Sequence, residues 1–193
     1  HPASSADYRA IERHIEEAND LKAQILELND TIKKLNDELQ GKKQKGEEKA
    51  ELYLDLKIRG EQISIRDLKL RKAVAHQKAI RKTLAAYGLA PADTFGNPIM
   101  PTGTVAMRRF KGRKATWVVV YMEKDDDRLV YDEGKLKQIP LAGSNAWAKT
   151  ATDGVTTVFS DVPFESPAHL ASMLFHEGTH FNQYTTPGDG NKK

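Results

Sequence analysis

Apolar residues near the N-terminus recur at alternating intervals of four and three residues. The positions are Leu21, Ile25, Leu28, Ile32, Leu35 and Leu39. A mean spacing of 3.5 residues keeps such side chains on one stripe, so the pattern predicts a coiled-coil helix. Ile11, Ile15 and Ala18 extend the stripe upstream, where two successive intervals of three predict a locally overwound supercoil. A polar break with two glycines at 41–46 predicts that the chain then reverses.

The segment that follows, 47–86, is again rich in Lys, Glu, Leu, Arg and Ala and is about as long as the first helix. Two arms joined by a short loop are expected to pair as an antiparallel helical hairpin over 6–86. The residues expected to face the first stripe are Leu52, Leu56, Ile63, Leu70 and Val74. Because apolar residues also alternate in 52–58, a β-hairpin is the competing interpretation, and the helix-favouring composition decides for the helix.

Beyond the hairpin the pattern changes to short β-branched runs. Prolines and glycines at 87–103 predict a linker. The run at 116–123 predicts a strand, with 129–131 expected to pair with it across a turn at 124–128, and 104–110 expected to add an edge. The acidic turn lacks the spacing of a calcium loop. The segment 155–160 predicts another strand, whereas 134–150 gives no firm assignment.

A helix is predicted at 167–184. Ser166 suits the N-cap and Pro167 the first helical position, and apolar residues recur on one face as far as Tyr184. The turn-forming sequence at 185–190 then predicts its end. We expect the C-terminal region, 104–193, to be a small domain in which a short sheet accompanies this helix.

The predicted helix carries the sequence His176-Glu177-Gly178-Thr179-His180. Positions i and i+4 share a helix face, so the two imidazoles can converge on one Zn²⁺ at about 2.0–2.1 Å from each nitrogen. Glu177 suits a carboxylate that takes a proton from zinc-bound water and returns it to a leaving amine. The pattern therefore predicts zinc-dependent hydrolysis, most simply of a peptide bond. The alternative is a helix with two structural or surface histidines and no metal.

A strand, a loop and a helix bearing His-Glu-x-x-His form the core of the zincin metallopeptidases, which residues 150–190 of this chain resemble. The resemblance implies a peptidase in which His176 and His180 bind zinc and Glu177 is catalytic. It also implies that 155–160 is an exposed sheet edge that pairs with an extended peptide substrate.

The third protein ligand is left open by the sequence. Gln183 and Thr186 stand where the metzincin subgroup has glycine and histidine, which disfavours that subgroup. In Asp-type zincins an aspartate follows the second histidine after a glycine-containing turn, and Asp189 is placed comparably, which makes it the candidate third ligand. An upstream residue, or one on a segment missing from the chain, is the alternative. The end of the sequence soon after the helix is consistent with C-terminal truncation.

Composition narrows the class of protein. The 193 residues, 39% of them hydrophobic, suffice for one domain with an appendage. The apolar run at 117–122 is too short to cross a bilayer, so no transmembrane segment is expected. The absence of cysteine excludes a thiolate zinc site and, with the hydrolase motif, favours a secreted or cell-envelope protein.

The net charge of +3 arises within residues 1–88. Basic segments at 69–82 and 108–114 are better explained as solvated surfaces than as nucleic-acid sites, so nucleic acid is disfavoured as a partner. The expected partners are a protein or peptide substrate and a protein, or a second copy, bound through the coiled coil.

Taken together, the sequence predicts an α+β fold in which a helical, coiled-coil hairpin precedes a zincin-like domain. The predicted function is zinc metallopeptidase activity. The alternative is a coiled-coil interaction module that carries a degenerate, non-catalytic zincin-like domain.

Overall fold

The computed structural model describes residues 4–89, 117–122, 128–132, 135–139, 146–150 and 155–185. Two compact units are present. One contains residues 17–72, and the other combines residues up to 16 with those from 73 onward. The division therefore runs through both long helices, whereas the sequence placed it after residue 86. The reason is that Ile11, Ile80 and Leu84, near the outer ends of the two helices, belong to the same core as the sheet.

The two N-terminal helices are α1, Ser5–Lys45, and α2, Glu48–Ala86. The helical interpretation of the second arm is thus confirmed over the β-hairpin. A glycine ends each helix in the left-handed conformation: Gly46 has a φ of 67° and Gly88 a φ of 63°. In the turn between α1 and α2, the Glu47 N–H donates to the Lys42 carbonyl at 3.1 Å. This bond satisfies one of the free carbonyls at the end of α1.

Unit 17–72 contains two layers of apolar contacts between the helices. One layer joins Leu21 and Ile25 to Ile65 and Leu68. The other joins Leu35 and Leu39 to Leu54 and Ile58. Late residues of α1 thus meet early residues of α2, which makes the pair antiparallel. The predicted stripe on α1 is confirmed.

The predicted stripe on α2 is wrong at three of its five positions, whereas Leu70 and Val74 are partly buried. Leu52, Leu56 and Ile63 are 60–67% exposed, and the buried stripe instead runs through Leu54 and Ile58. The second helix carries two apolar stripes, and the buried one includes polar positions such as Lys72, which is 5% exposed. Both stripes are interrupted by polar residues, so periodicity does not distinguish them, whereas packing against α1 selects the stripe through Leu54 and Ile58.

The second unit is built on a three-stranded sheet. The strands are β1 (Val118–Tyr121), β4 (Ala148–Thr150) and β5 (Val155–Val158), in the order β1-β5-β4. The strand β5 is parallel to β1 and antiparallel to β4. The prediction that 155–160 is an edge strand is therefore wrong, because β5 is paired on both sides.

A separate two-stranded sheet contains β2 (Arg128–Asp132) and β3 (Lys135–Ile139), which are antiparallel. The expected pairing of 129–131 with the strand at 116–123 is therefore wrong, since β1 pairs with β5 instead. The antiparallel pairing of β2 with β3 joins two strands that are adjacent in the sequence. The parallel pairing of β1 with β5 requires a long crossover connection, which a sequence pattern does not specify.

Gln77 on α2 forms hydrogen bonds with the backbone of β1 along the edge that does not pair with β5. Its amide nitrogen donates to the Val119 carbonyl at 2.9 Å, and its amide oxygen accepts from the Tyr121 N–H at 3.0 Å. The side chain, which is 4% exposed, therefore satisfies two backbone groups that a further strand would otherwise pair. This contact attaches the C-terminal end of α2 to the sheet.

Helix α3, Pro167–Thr185, follows a short 3-10 helix, Val162–Glu165. The prediction of a helix at 167–184 is confirmed. Three predicted features lie outside the described residues: the strand at 104–110, most of the linker and the acidic turn. In the part of the chain that the structure describes, no helix is both long and apolar enough to span a membrane.

Candidate metal centre on the third helix

Ser166 fixes the start of α3. Its hydroxyl accepts from the His169 N–H at 3.2 Å, and its carbonyl accepts from the Leu170 N–H at 3.1 Å. Pro167, which has no N–H to satisfy, occupies the first helical position, so the sequence-based assignment of the cap is correct. His169 is paired with Glu165 at 3.2 Å, with both side chains more than half exposed.

The buried face of α3 determines where its polar residues lie. Leu170, Leu174 and Phe181 are buried in the core with the sheet. Glu177 shares this face and is only 5% exposed. Since successive helical residues are rotated by about 100°, His176 lies to one side, and it is exposed while His180 is partly buried.

The two histidine rings converge. Their Nε2 atoms are 3.1 Å apart, and the ring planes are nearly perpendicular, at 85°. Two nitrogens bound to one tetrahedral zinc ion would be about 3.3–3.4 Å apart, so the observed separation is close to that of a shared ligand pair. The same contact also suits a hydrogen bond in which one ring donates to the other.

Gln183 contacts the second histidine. Its side-chain oxygen is 3.2 Å from Nδ1 of His180. If Nδ1 carries the proton and donates it to this oxygen, the Nε2 lone pair is left for a cation, as is usual for metal-binding histidines. Sequence reasoning considered Gln183 only as a departure from the metzincin pattern and missed this contact, although its position three residues after His180 is a recognisable helical spacing.

Glu177 is held by a chain of hydrogen bonds that begins on the sheet. The Thr150 hydroxyl on β4 donates to Oε2 of Glu177 at 2.6 Å. Thr150 also contacts the hydroxyl of Thr156 on β5 at 2.6 Å, and these two residues are direct partners across the antiparallel pair. The indole N–H of Trp117 donates to Thr156 at 2.8 Å. Sequence reasoning identified none of these three partners.

A cavity of about 400 Å³ lies beside the motif. Its lining comprises Ala146, Trp147, Ala148, Ser172, Met173, His176 and Glu177. One wall is therefore formed by the start of β4 and the residues before it, and the other by α3. Most of this lining is apolar. Its histidine and its carboxylate belong to His176 and Glu177, which are adjacent on α3.

Of the four predicted site residues, His176 and His180 contact each other, and Glu177 lines the same cavity as His176. Asp189, the candidate third ligand, lies outside the described residues. Within the described ranges, no group of three or more His, Asp or Glu side chains is arranged to hold a metal ion. Among the described residues, the histidine pair offers two nitrogen atoms that converge.

Comparison of the chain with protein-family models, with curated proteins and with solved structures gave no significant match. The chemical interpretation of this site therefore depends on its residues and their geometry.

Proposed function

We propose that this chain is a zinc-dependent peptidase that uses His176 and His180 as metal ligands and Glu177 as the general base. The observation that carries the proposal is the 3.1 Å separation of the two Nε2 atoms beside a nearly buried carboxylate. Two nitrogen donors fit zinc, and Gln183 is placed to fix the tautomer of one of them. The proposal takes Asp189 as the third ligand.

A zinc ion at this position would act as a Lewis acid that makes water more acidic and polarises a carbonyl. Glu177 would accept a proton as the water oxygen forms its bond to the scissile carbonyl carbon. The same carboxyl group would then return the proton to the amide nitrogen as the carbon–nitrogen bond breaks. Water is consumed, and the products are a carboxylic acid and an amine.

The substrate would be an extended peptide placed along β4. This strand pairs with β5 on one side and has no strand on its other side among the described residues. An open strand edge can bind a peptide through backbone hydrogen bonds. The cavity between β4 and α3, with Trp147 and Met173 in its lining, would take an apolar side chain of that peptide.

A metal titration with a matched variant tests the proposal. The wild-type chain is expected to bind one zinc ion and to cleave a peptide library, whereas Glu177→Gln is expected to bind zinc equally and to lose cleavage. The Gln side chain keeps a hydrogen-bond acceptor for Thr150 but cannot take up a proton at neutral pH. Failure of the wild-type chain to bind zinc, or full activity of Glu177→Gln, would contradict the proposal.

A second candidate function is supported by a different surface. The stripe of Leu52, Leu56 and Ile63 on α2 is exposed, and Leu56 and Ile63 are one heptad apart. Such a stripe is typical of a helix that pairs with a further helix, so the chain would act as an interaction module. Nothing in this alternative requires catalysis.

Association measurements separate the two functions. An interaction module is expected to self-associate or bind another coiled coil in sedimentation experiments, and Leu56→Glu with Ile63→Glu is expected to abolish that association. The same double variant is expected to leave peptide cleavage unchanged if the chain is a peptidase. A monomer at all concentrations, with no helical partner, would count against the module.

A further inference from the structure

The carboxylate of Glu177 is connected, through three consecutive hydrogen bonds across the sheet, to a residue beside its opposite edge strand, β1. The chain runs from Trp117, beside β1, through Thr156 on β5 and Thr150 on β4 to Glu177 on α3. All four side chains are at most 7% exposed. Four separate elements therefore contribute to the position of one carboxylate.

The donor in each of these three hydrogen bonds follows from counting the protons that each group can give. An indole N–H can only donate, so Thr156 accepts from Trp117. Thr150 gives its single hydroxyl proton to Glu177. Thr150 therefore has no proton for Thr156, and Thr156 must donate to Thr150. Each hydroxyl thus accepts one bond and donates one, and the chain has a single orientation that ends on Oε2 of Glu177.

The chain is also fixed at its far end. The indole of Trp117 stacks near Phe181 at a centroid distance of 6.0 Å, and its ring lies over Gly178. The two threonines are opposite each other in the antiparallel register, which limits their freedom to move apart. A carboxylate held in this way has little freedom to rotate away from the cavity that it lines.

We infer that Trp117, Thr156 and Thr150 are positioning residues that hold Glu177 in the orientation needed for proton transfer. This inference rests on the proposed function of Glu177 as the base. The three residues act through Glu177 and do not themselves contact the reacting atoms. Groups that orient a catalytic or metal-binding side chain from outside commonly change activity by about 10-fold to 100-fold when removed.

The first test uses metal-free protein and therefore does not depend on catalysis. The chain contains two tryptophans, so ¹⁵N labelling gives two indole signals, which Trp147→Phe assigns. Thr156→Val, which removes the hydroxyl that accepts from the indole N–H, is expected to move the Trp117 indole signal upfield. Thr156→Ser, which keeps the hydroxyl, is expected to leave it in place. An unchanged Trp117 signal in Thr156→Val would overturn the inference.

The second test measures peptide cleavage by the zinc-loaded protein. Thr150→Val is expected to lower kcat by about 10-fold to 100-fold while KM and zinc stoichiometry stay at wild-type values. Thr150→Ser is expected to restore most of kcat. Thr157→Val makes the same chemical change on the opposite face of β5 and is expected to keep kcat, because alternate residues of a strand point to opposite sides.

The outcomes distinguish this inference from the proposed function. Peptide cleavage at the wild-type rate by Thr150→Val would contradict the positioning role but would not contradict the peptidase proposal. Absence of cleavage by the wild-type protein would remove the peptidase proposal. The indole signal alone would then decide whether the series of hydrogen bonds exists. If Thr150→Val does not fold, Thr156→Val breaks the same series of hydrogen bonds one bond further from the carboxylate and replaces it in the cleavage experiment. If Thr156→Val does not fold, Thr156→Ala replaces it in the indole experiment.

Discussion

The indole of Trp117 lies directly against Gly178. A Cβ atom built on this glycine would be 3.2 Å from Cη2 and 3.3 Å from Cζ3 of the ring. These distances are shorter than normal contacts between carbon atoms, so the ring approaches the helix backbone only because no side chain is present there. The residue after Glu177 is therefore glycine for a packing reason, and the contact aims the indole N–H at Thr156.

Gly178→Ala is expected to destabilise the sheet-containing unit by about 1 kcal/mol. Alanine favours the helix by about 1 kcal/mol over glycine, but overpacking against Trp117 costs about 1–3 kcal/mol. Urea unfolding followed by tryptophan fluorescence measures the change.

Gly60→Ala is the matched control. Gly60 is also helical, but nothing lies within 4 Å of a Cβ built there. This change is expected to stabilise α2 by up to about 1 kcal/mol, which far-UV circular dichroism would detect. Equal stabilisation by both substitutions would show that the Trp117 contact imposes no constraint.

If the proposed zinc site is correct, His176→Ala and His180→Ala are each expected to weaken zinc binding by more than about 100-fold, because each would remove a direct ligand and not only an outer partner. Isothermal titration calorimetry with zinc measures the affinity. His169→Ala on the same helix is expected to bind zinc as the wild type does, since His169 is exposed and paired with Glu165. A similar loss in all three variants would indicate nonspecific binding to surface imidazoles.

Gln77→Ala is expected to destabilise the protein by about 2–4 kcal/mol. The substitution leaves the Val119 carbonyl and the Tyr121 N–H without their buried partner, and each unsatisfied group costs about 1–3 kcal/mol. Denaturant unfolding measures the loss. Lys78, the next residue, is exposed, and Lys78→Ala is expected to change the free energy of unfolding by less than about 0.5 kcal/mol. A loss as large as that in Gln77→Ala would contradict the role given to the Gln77 amide.

Asp7 links stability to acid pH. A hydrogen bond with Ser4, followed by interaction with Lys82 at 3.2 Å, lowers the pKa of the Asp7 carboxyl below its ordinary value. Because the folded state favours the charged form, this contribution is complete above the unfolded pKa of about 4 and is lost as the pH falls through the lower folded pKa.

Carbon-detected NMR of the Asp7 carboxyl measures that pKa. Ser4→Ala is expected to raise it more than Lys82→Met does, since the Ser4 hydrogen bond is the larger cause. The reverse order would show that the ion pair, and not the N-terminal cap, holds the carboxylate.

Leu54 and Leu56 provide a matched pair for the two stripes of α2. Leu54→Ala is expected to cost about 2–5 kcal/mol because Leu54 is 3% exposed, whereas Leu56→Ala is expected to change stability by less than about 0.5 kcal/mol because Leu56 is 60% exposed. Thermal unfolding followed by circular dichroism measures both. Equal losses would mean that both stripes are covered in solution.

Part of the candidate site was visible in the sequence because its geometry is local. His176 and His180 are one helical turn apart, and the cap at Ser166 and the apolar face of α3 predict the helix that carries them. The stripe on α1 was predictable for the same reason. In each case, a fixed spacing along the chain determines which side chains share a face.

Only the tertiary structure decided which stripe of α2 is buried, why β5 is central and how Glu177 is held. The last of these depends on Trp117, Thr150 and Thr156, which are brought together over separations of up to 39 residues. Helical periodicity and turn signals specify contacts within a few residues. The pairing of distant strands and the choice between two apolar faces instead depend on the total burial and hydrogen bonding of the folded chain, which no single segment contains.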